Sequence, residues 1–449
     1  MITRLARWMR GDEADTRLPW RIFWAAFLVR VLYITLAHTY RFRLTDEHFQ
    51  FGWEAGRIAR ALATGHGYAD PFGNSFAGHT GATAWLPPLY PLLIAGVFKL
   101  FGVYTAASAW VLLVINSALS AATVLAIWEI AVRCFSRRNA VWSAWLWALY
   151  PAAMQYAVRW IWEMTLTTAV FAWVIVLALR MRDVDRHSRY ATESDSRLTL
   201  LWAIFGLMWG AIALSNSTLL LFLPVCGLWI LIGTWGRPHA LRNAVLGGLV
   251  FLASIAPWEA RNFHVFDTFI PLRGNLGAEL YMGNGPGSNG FLITYEHPNE
   301  SPNQFRLYAE LGEVRYVRMR GELAKAYIRA HPAHFVKDSL KRTYFFWFGV
   351  PSVSPWSVEI PRMLNFGFIT LAGLMGLGLA LHRRIPGAGM MAWAFLLLPI
   401  SYYLVTAGAR FRHPLEPLMT ILGVYLFQSA TPRYRDTKSE SGMASPMAR

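Results

Sequence analysis

The sequence predicts an all-α fold, a polytopic bundle of about 10–12 membrane helices with juxtamembrane helices in its first outer loop. Three observations predict it. Of the 449 positions, 55% are hydrophobic and only 15% are charged, whereas soluble domains average about 25% charged residues. Apolar runs, several of them near the roughly 20 residues that cross a bilayer, fill the chain almost from end to end. Basic residues gather in short loops beside those runs, as in oriented membrane proteins.

Composition also excludes several classes of protein. Disordered, collagen-like and coiled-coil chains do not have this apolar content. The formal charge of +16 would suggest nucleic-acid binding in a soluble protein. Here membrane orientation accounts for the basic loops, so no nucleic-acid partner is predicted. Cys134 and Cys226 have no spacing that indicates a disulfide framework or a metal site.

Ten apolar segments are predicted to span the membrane. They are about 20–38, 105–130, 138–151, 162–181, 198–214, 217–233, 240–257, 363–382, 388–406 and 411–428. Two further segments are ambiguous and are placed at the interface. The first, about 86–101, is opened by prolines, and the second, about 336–352, carries Lys337, Lys341 and Arg342.

With these ten spans, every short basic loop falls on one side of the membrane, which predicts that both termini are cytoplasmic. If 86–101 also crossed, the basic loop at 133–138 would lie outside, so that alternative is rejected. The chain then divides into a cytoplasmic segment 1–19, one transmembrane domain 20–428 and a cytoplasmic, disordered tail 429–449.

The same topology leaves two large outer loops, about 39–104 and 258–335. The first contains an amphipathic stretch at 48–63. Apolar residues share one face of this stretch, and polar residues including Glu54 and Arg57 share the other. That pattern predicts a helix lying in the membrane interface, with its polar face toward water.

Charged residues also collect at the outer face, where arginines run against the positive-inside bias. A guanidinium matches phosphate oxygens bidentately, and a carboxylate beside it can take a proton from an attacking hydroxyl. This chemistry would suit group transfer from a lipid phosphate. The candidate residues are Asp46, Glu47, Glu163, Arg261, Arg410 and Arg412.

Each candidate also has an ordinary structural interpretation. The first two acids would serve equally well as an N-cap for the helix at 48–63. Glu163 would suit a helix-dipole partner or an ion pair with Arg159, and the last two arginines would suit snorkelling to lipid headgroups. Elsewhere, Arg30 lies mid-span and is predicted to face protein, and Glu129 is predicted to pair with Arg133.

A series of motifs carries a resemblance to a known family. The chain is similar to the C-fold polytopic glycosyltransferases of the family 39 and protein-O-mannosyltransferase type, with the aminoarabinose lipid A transferases as relatives. The resemblance covers about residues 20–430. Its motifs are Thr45-Asp46-Glu47, Gly65-His66-Gly67-Tyr68, the run 83–91 from Thr83 to Pro91, Phe98-Lys99-Leu100-Phe101-Gly102, Tyr150-Pro151, Glu163, Pro257-Trp258-Glu259-Ala260-Arg261-Asn262 and Arg410-Phe411-Arg412-His413-Pro414.

The resemblance implies a hexosyl- or pentosyltransferase that uses a polyprenyl-phosphate-linked sugar and inverts the anomeric carbon. The acceptor would be a glycolipid, a glycan or a protein at the outer face. It further implies a multi-pass protein of a bacterial inner membrane, surrounded by membrane lipids, with its active site facing the periplasm. An alternative function is a transporter or flippase of an anionic lipid-linked substrate, which would use the same arginines without a base.

The resemblance also implies roles for the candidates. Asp46, with Glu47 adjacent, would be the base or acceptor-orienting acid, and Glu163 would orient the acceptor. A divalent cation is left open, with Asp46 and Glu163 as its ligands, and no other cofactor is expected. The donor phosphate would contact Arg261, Arg410 and Arg412. Some relatives place a lysine before the proline motif, where this sequence has Trp85 and Leu86, so the arginines would bear more of phosphate recognition.

Overall fold

The structure is a computed structural model that describes residues 15–42, 49–72, 79–187, 192–291, 293–349 and 356–430. Within these ranges it consists of α-helices, short 3-10 segments and turns, and strand-like pairing is confined to one backbone bridge between Ala69 and Ala82. The predicted all-α polytopic fold is confirmed.

The described α-helices, in chain order, are α1 Leu18–Leu36, α2 Glu54–Ala63, α3 Leu89–Phe101, α4 Ala106–Cys134, α5 Arg137–Leu149, α6 Pro151–Val158, α7 Met164–Met181, α8 Asp195–Ala213, α9 Leu223–Thr234, α10 Ala240–Phe266, α11 Leu276–Asn284, α12 Pro302–Leu311, α13 Glu313–Ala330, α14 Pro332–Phe348, α15 Trp356–His382, α16 Ala388–Leu397, α17 Ile400–Leu404 and α18 Glu416–Ala430. Short 3-10 helices occur at Phe49–Phe51, Ser217–Phe222, Thr294–Glu296 and Ala409–Leu415.

Seven helices of the described chain are long and apolar enough to cross a membrane, which confirms an integral membrane protein. They are Leu18–Leu36, Ala106–Cys134, Met164–Met181, Asp195–Ala213, Ser217–Thr234, Ala240–Phe266 and Ile360–His382. The other three predicted spans are helical but interrupted. Their breaks lie at Pro151, Pro399 and Pro414, because proline removes a helix hydrogen bond and clashes with the preceding turn.

The basic loops meet on one face of the bundle, as the predicted topology requires. The backbone N–H of Arg186 donates to the carbonyl of Arg133 at 2.9 Å, and the Arg137 guanidinium donates to the carbonyl of Asp15 at 3.4 Å. The predicted pair between Glu129 and Arg133 is present at 2.9 Å. Loops far apart in sequence therefore lie at the same end of the bundle.

Arg30 is fully buried in the bundle, as predicted. Its guanidinium donates to the carbonyls of Trp147 at 3.2 Å and Ala148 at 2.8 Å. These carbonyls lie at the end of α5, just before Pro151, which has no N–H to continue the helix ladder. Arg30 thus supplies donors to carbonyls at the helix break, where the Trp147 carbonyl also accepts the Tyr150 N–H at 3.4 Å.

Helix α10 extends further than its sequence predicts. The predicted span ends at 257, yet the helix continues through Pro257 to Phe266. Proline inside a membrane helix is tolerated where other groups satisfy the freed backbone. Consequently Arg261 lies within the outer end of the helix rather than in the loop beyond it.

Helix α2 differs from the predicted interfacial helix in the surroundings of its polar face. Glu54 and Arg57, expected to meet water, are 8% and 0% exposed. They contact the second outer loop, while the opposite face packs on α3. The prediction of a water-facing polar side is therefore wrong for these two residues, because another protein segment covers them.

Candidate active site at the outer face

The turn that carries Glu163 lies where the first outer loop meets the bundle. Glu163 follows α6 and directly precedes α7. Next to it, the backbone N–H of Ile161 donates to the carbonyl of Gln50 at 3.1 Å. Gln50 follows the acids Asp46 and Glu47 closely in sequence, but both acids lie outside the described residues.

Glu163 is a half-buried carboxylate without a close partner. Within the described chain it forms no side-chain hydrogen bond and no ion pair, and it is not bonded to Arg159, which instead donates to the Tyr33 hydroxyl at 3.3 Å. Burial raises the pKa of Glu163, and the nearby guanidinium of Arg410 offsets this only in part. We call the surroundings of this partly accessible acid the cleft.

Arg410 lies near Glu163, and its charge acts on that carboxylate. Its guanidinium is 4.0 Å from the centre of the Trp162 ring and 4.8 Å from that of Phe411, so the two rings hold it by cation–π contact. Among the described residues, no protein acceptor hydrogen-bonds this guanidinium. Its donors therefore remain available to an anionic ligand near Glu163.

The structure places Arg261 in a different role from Arg410. Its guanidinium donates to the carbonyls of Thr83 at 2.7 Å and Tyr68 at 2.9 Å, and to the side chain of Asn262 at 3.0 Å. It also lies 5.1 Å from the Trp258 ring centre. Arg261 thereby fastens the first outer loop to α10.

Arg412 lies only two positions after Arg410 but points into the core. It is fully buried and forms an ion pair with Glu416 at 3.1 Å. It also donates to the Trp347 carbonyl at 2.5 Å and to Thr370 at 2.6 Å. Because the Trp347 carbonyl belongs to the last turn of α14, the guanidinium caps the negative end of that helix.

A second buried acid, Glu313, fixes the proline-rich motif. Its carboxylate accepts hydrogen bonds from the Thr83 hydroxyl, from the Ala84 N–H at 2.7 Å and from the Tyr308 hydroxyl at 2.7 Å. Burial raises the pKa of Glu313, although these donors favour its charged form. The segment leading into Trp85 is thus held against α12 and α13.

Sequence reasoning missed several polar residues at this face. Glu54 lies 3.1 Å from His297, and Arg273 lies 3.1 Å from Glu279. The charges of Arg273 and Glu54 both act on the carboxylate of Glu163, so these residues belong to its electrostatic neighbourhood. The sequence signal that could have found Arg273 is its position in a Pro-Leu-Arg-Gly-Asn turn directly after an outward-running span.

Metal binding has little support from the described side chains. No group of three or more His, Cys, Asp or Glu residues within the described ranges could hold a metal ion. Glu163 is the described half of the predicted ligand pair, and the neighbouring Arg410 already supplies positive charge there. The other half, Asp46, lies outside the described residues.

Comparison with solved structures identifies the fold. No protein-family model matches the chain, and no curated protein matches it in sequence. The oligosaccharyltransferase of Archaeoglobus fulgidus in its apo form superposes with a TM-score of 0.56 at 14% identity, covering 98% of this chain and 54% of that one. The same enzyme in complex with Zn and sulfate gives a TM-score of 0.50 at 14% identity, covering 91% and 49%.

A third match is ArnT from Cupriavidus metallidurans bound to undecaprenyl phosphate, with a TM-score of 0.41 at 14% identity, covering 92% of this chain and 78% of that one. The chain spans about half the length of the oligosaccharyltransferase it matches. At this level of identity the likeness is one of fold. The predicted resemblance is confirmed at the level of fold: the chain shares the polytopic helical architecture of the oligosaccharyltransferase that it matches.

Proposed function

We propose that the protein is an integral membrane glycosyltransferase that moves a sugar from a polyprenyl-phosphate donor to an acceptor on the outer face. The observation that carries this proposal is the proximity of Glu163 to Arg410, whose charge acts on the Glu163 carboxylate without forming an ion pair with it. The acid is half-buried and unpaired, and the guanidinium lacks a protein hydrogen bond within the described chain. An acid beside an available cation suits a sugar hydroxyl and a phosphate, respectively.

In the proposed reaction the acceptor hydroxyl attacks the anomeric carbon from the side opposite the phosphate, so the configuration inverts. The new bond joins the acceptor oxygen to that carbon, and the bond from the carbon to the phosphate oxygen breaks. Asp46, with Glu47 beside it, takes the hydroxyl proton, and Glu163 orients the acceptor. The electron pair of the broken bond stays on the phosphate oxygen, so the polyprenyl phosphate leaves as an anion, and Arg410 stabilises the charge that develops on it.

Arg261 and Arg412, which the resemblance also assigns to the phosphate, support the site in this proposal rather than touch the donor. Several donors of each guanidinium are already engaged by backbone carbonyls and side chains. Arg261 holds the first outer loop, and Arg412 holds the end of α14. Both act by keeping the cleft in shape.

The topology supports an active site on the face opposite the basic loops, which is the periplasmic side of a bacterial inner membrane in this proposal. A glycolipid, a glycan or a protein remains the candidate class of acceptor. A flippase would bind the same lipid phosphate without transferring its sugar. Arg30, the mid-span charge that would best suit transport, is instead bonded to the carbonyls of Trp147 and Ala148.

The decisive experiment is mass spectrometry of lipids and envelope glycans from cells with and without the gene. We expect one hexose or pentose to disappear from an envelope molecule while its lipid-linked precursor accumulates. Complementation with Asp46→Asn should reproduce the deletion at unchanged protein level, because the amide cannot take the proton. Asp267→Asn is the matched control, since Asp267 is an exposed outer acid whose φ of 48° suits asparagine equally well.

Full complementation by Asp46→Asn would remove that residue from the chemistry. If permeabilised membranes from cells without the gene still transferred the sugar from added donor, the missing step would be donor transport. The flippase would then replace the transferase as the function. No change in any sugar-bearing lipid or glycan on deletion would overturn both.

A further inference from the structure

The segment after α10 contains an uncommon backbone turn. The N–H of Arg273 donates to the carbonyl of Pro271 at 2.6 Å, which closes a three-residue turn around Leu272. The φ of Leu272 is 60°, in the left-handed region. A γ-turn with a positive φ at its centre is rare and strained, and a bulky residue such as leucine seldom adopts it.

Side chains of α10 form hydrogen bonds with both backbone groups of the central residue of this turn. Glu259 accepts the Leu272 N–H at 2.8 Å, and the Trp258 indole donates to the Leu272 carbonyl at 2.7 Å. One residue beyond the turn, Gly274 donates to the Ala84 carbonyl at 2.7 Å. The conformation is thus fixed by the Pro-Trp-Glu motif and by the first outer loop.

The residue that this turn presents is Arg273. Its guanidinium contacts Glu279 at 3.1 Å through one terminal nitrogen, and its side chain is 31% exposed. Its Nε is buried and has no hydrogen-bond partner in the described chain. Its charge acts on Glu163 and on Tyr402, so Arg273 lies in the electrostatic neighbourhood of the Glu163 carboxylate.

We propose that Arg273 is a second guanidinium contact for the phosphate of the lipid-linked substrate, and that Glu259 and Trp258 are positioning residues that hold it there through Leu272. This inference rests on the proposed function. Two cations facing one cleft suit a phosphate, whose oxygens accept several charge-assisted hydrogen bonds. Backbone strain persists only where the surroundings enforce it, and such positions cluster at functional sites.

The cleft itself argues for this assignment. Arg261 donates to two backbone carbonyls, and Arg412 is fully buried, so that even its Nη2, unpartnered among the described residues, lies in the core. A phosphate beside Arg410 would therefore need a second cation from elsewhere. Arg273 keeps one terminal nitrogen and its Nε without a protein hydrogen bond in the described chain. Glu279 orients the guanidinium without enclosing it.

The test measures binding of two probes to the full-length protein in detergent: a polyprenyl monophosphate and the uncharged polyprenol of the same length. We expect Arg273→Gln to weaken binding of the phosphate by about tenfold to a hundredfold, the range for one hydrogen bond to a charged group. Polyprenol binding should not change. A merely structural role would weaken both probes alike. Arg273→Lys should recover part of the loss, and Arg329→Gln, at an exposed outer arginine, is the charge-matched control.

The positioning residues have their own comparison. Glu259→Ala removes the acceptor of the Leu272 N–H and should weaken phosphate binding, whereas Glu259→Gln keeps an acceptor oxygen and should bind nearly as the wild type does. Leu272→Gly keeps both backbone groups and allows positive φ, so phosphate affinity should persist.

Failure of this inference can be told apart from failure of the proposed function. If the wild-type protein binds the phosphate and the polyprenol equally well, the proposed function is wrong. If the wild type prefers the phosphate and Arg410→Gln abolishes that preference while Arg273→Gln keeps it, only the role of Arg273 is overturned.

Discussion

Glu54 lies 3.1 Å from Nε2 of His297, and this hydrogen bond joins α2 of the first outer loop to the second outer loop. The other ring nitrogen, Nδ1, accepts the Asn299 N–H at 3.0 Å, which leaves the proton of the neutral ring on Nε2. One turn further along α2, Arg57 donates to the Asn299 side chain at 2.8 Å. The two outer loops are therefore fixed to each other beside the cleft.

This contact predicts a pH-dependent contribution to stability. Burial acts to raise the pKa of Glu54, but the hydrogen bond from His297 and the charge of Arg57 outweigh it, so the pKa is lowered. A carboxyl group whose pKa is lowered by folding stabilises the folded state at pH values above the ordinary glutamate pKa of about 4.3. This contribution is lost as the pH falls through the lower pKa of the folded state.

Glu54→Gln should therefore lower the thermal unfolding temperature at neutral pH. The free energy of unfolding should fall by about 1–2 kcal/mol, because a charge-assisted hydrogen bond is lost. The difference from the wild type should close on acidification. Thermal unfolding in detergent between neutral and acidic pH measures this, with the exposed Glu322→Gln as control. A gap that stays constant across the series would contradict the assignment.

The buried pair of Arg412 and Glu416 predicts loss of stability rather than loss of substrate binding. Arg412→Met leaves the Glu416 carboxylate in the core with His413 as its remaining partner at 2.6 Å. Breaking a buried pair by removing one partner costs about 3–5 kcal/mol. The double variant Arg412→Met/Glu416→Gln should recover part of that cost, because no uncompensated charge remains.

Thermal unfolding and the yield of detergent-extracted protein measure the effect of Arg412→Met. Arg410→Gln, two positions away, should cost less stability than Arg412→Met, because it removes cation–π contacts and breaks no ion pair. A stable Arg412→Met protein that no longer binds a polyprenyl phosphate would instead make Arg412 a donor contact.

These two arginines show where sequence reasoning reaches its limit. Both lie at an outer helix end, and the positive-inside bias marks both as unusual. Their separation by one residue turns them to different surroundings, one over the Trp162 ring and the other into the contact with Glu416. Only the packing of distant helices decides which of them a ligand can reach.

The spans themselves follow from hydropathy and basic loops because both signals are local. The surroundings of the polar face of α2 cannot be predicted in the same way. Amphipathicity distinguishes apolar from polar surroundings, but it does not distinguish water from another polar protein surface. The partners His297 and Asn299 lie in the second outer loop, far along the chain from Glu54. The end of α10 is missed for a related reason, because Pro257 usually ends a helix in soluble proteins and here does not.

Arg30 and Pro151 predict energetic coupling across the bundle. Arg30→Met removes the side-chain donor of the Ala148 carbonyl, at about 1–3 kcal/mol for a buried group left unpaired, and leaves the Trp147 carbonyl with the long Tyr150 N–H bond of 3.4 Å. Pro151→Ala restores an N–H that can donate to the Trp147 carbonyl. The double variant should therefore lose less stability than the sum of the single losses, and a double-mutant cycle of thermal unfolding measures the difference. Strict additivity would mean that Arg30 does not serve the carbonyls freed by the proline.

Glu163 predicts a trade-off between stability and activity. Burial raises its pKa, and Arg410 lowers it only in part, so the folded state binds the carboxyl proton more tightly than the unfolded chain does. Folding stability is then lost as pH rises from the ordinary glutamate pKa, about 4.3, through the raised value. At neutral pH the charged carboxylate costs stability that a neutral amide would not.

Glu163→Gln should accordingly raise the unfolding temperature at neutral pH, and the gain should vanish in acid, where the wild-type carboxyl is protonated in both states. The same variant should transfer sugar about tenfold to a hundredfold more slowly, because the amide no longer accepts the acceptor hydroxyl as a charged partner. Glu163→Asp, which keeps the charge but shortens the side chain, separates the two effects: it should keep the stability cost and lose activity through misplacement. A Glu163→Gln protein that is both more stable and fully active would contradict this role. A carboxylate that lowers stability is expected to be retained only where it serves function, and full activity of the amide would show that Glu163 serves none in sugar transfer.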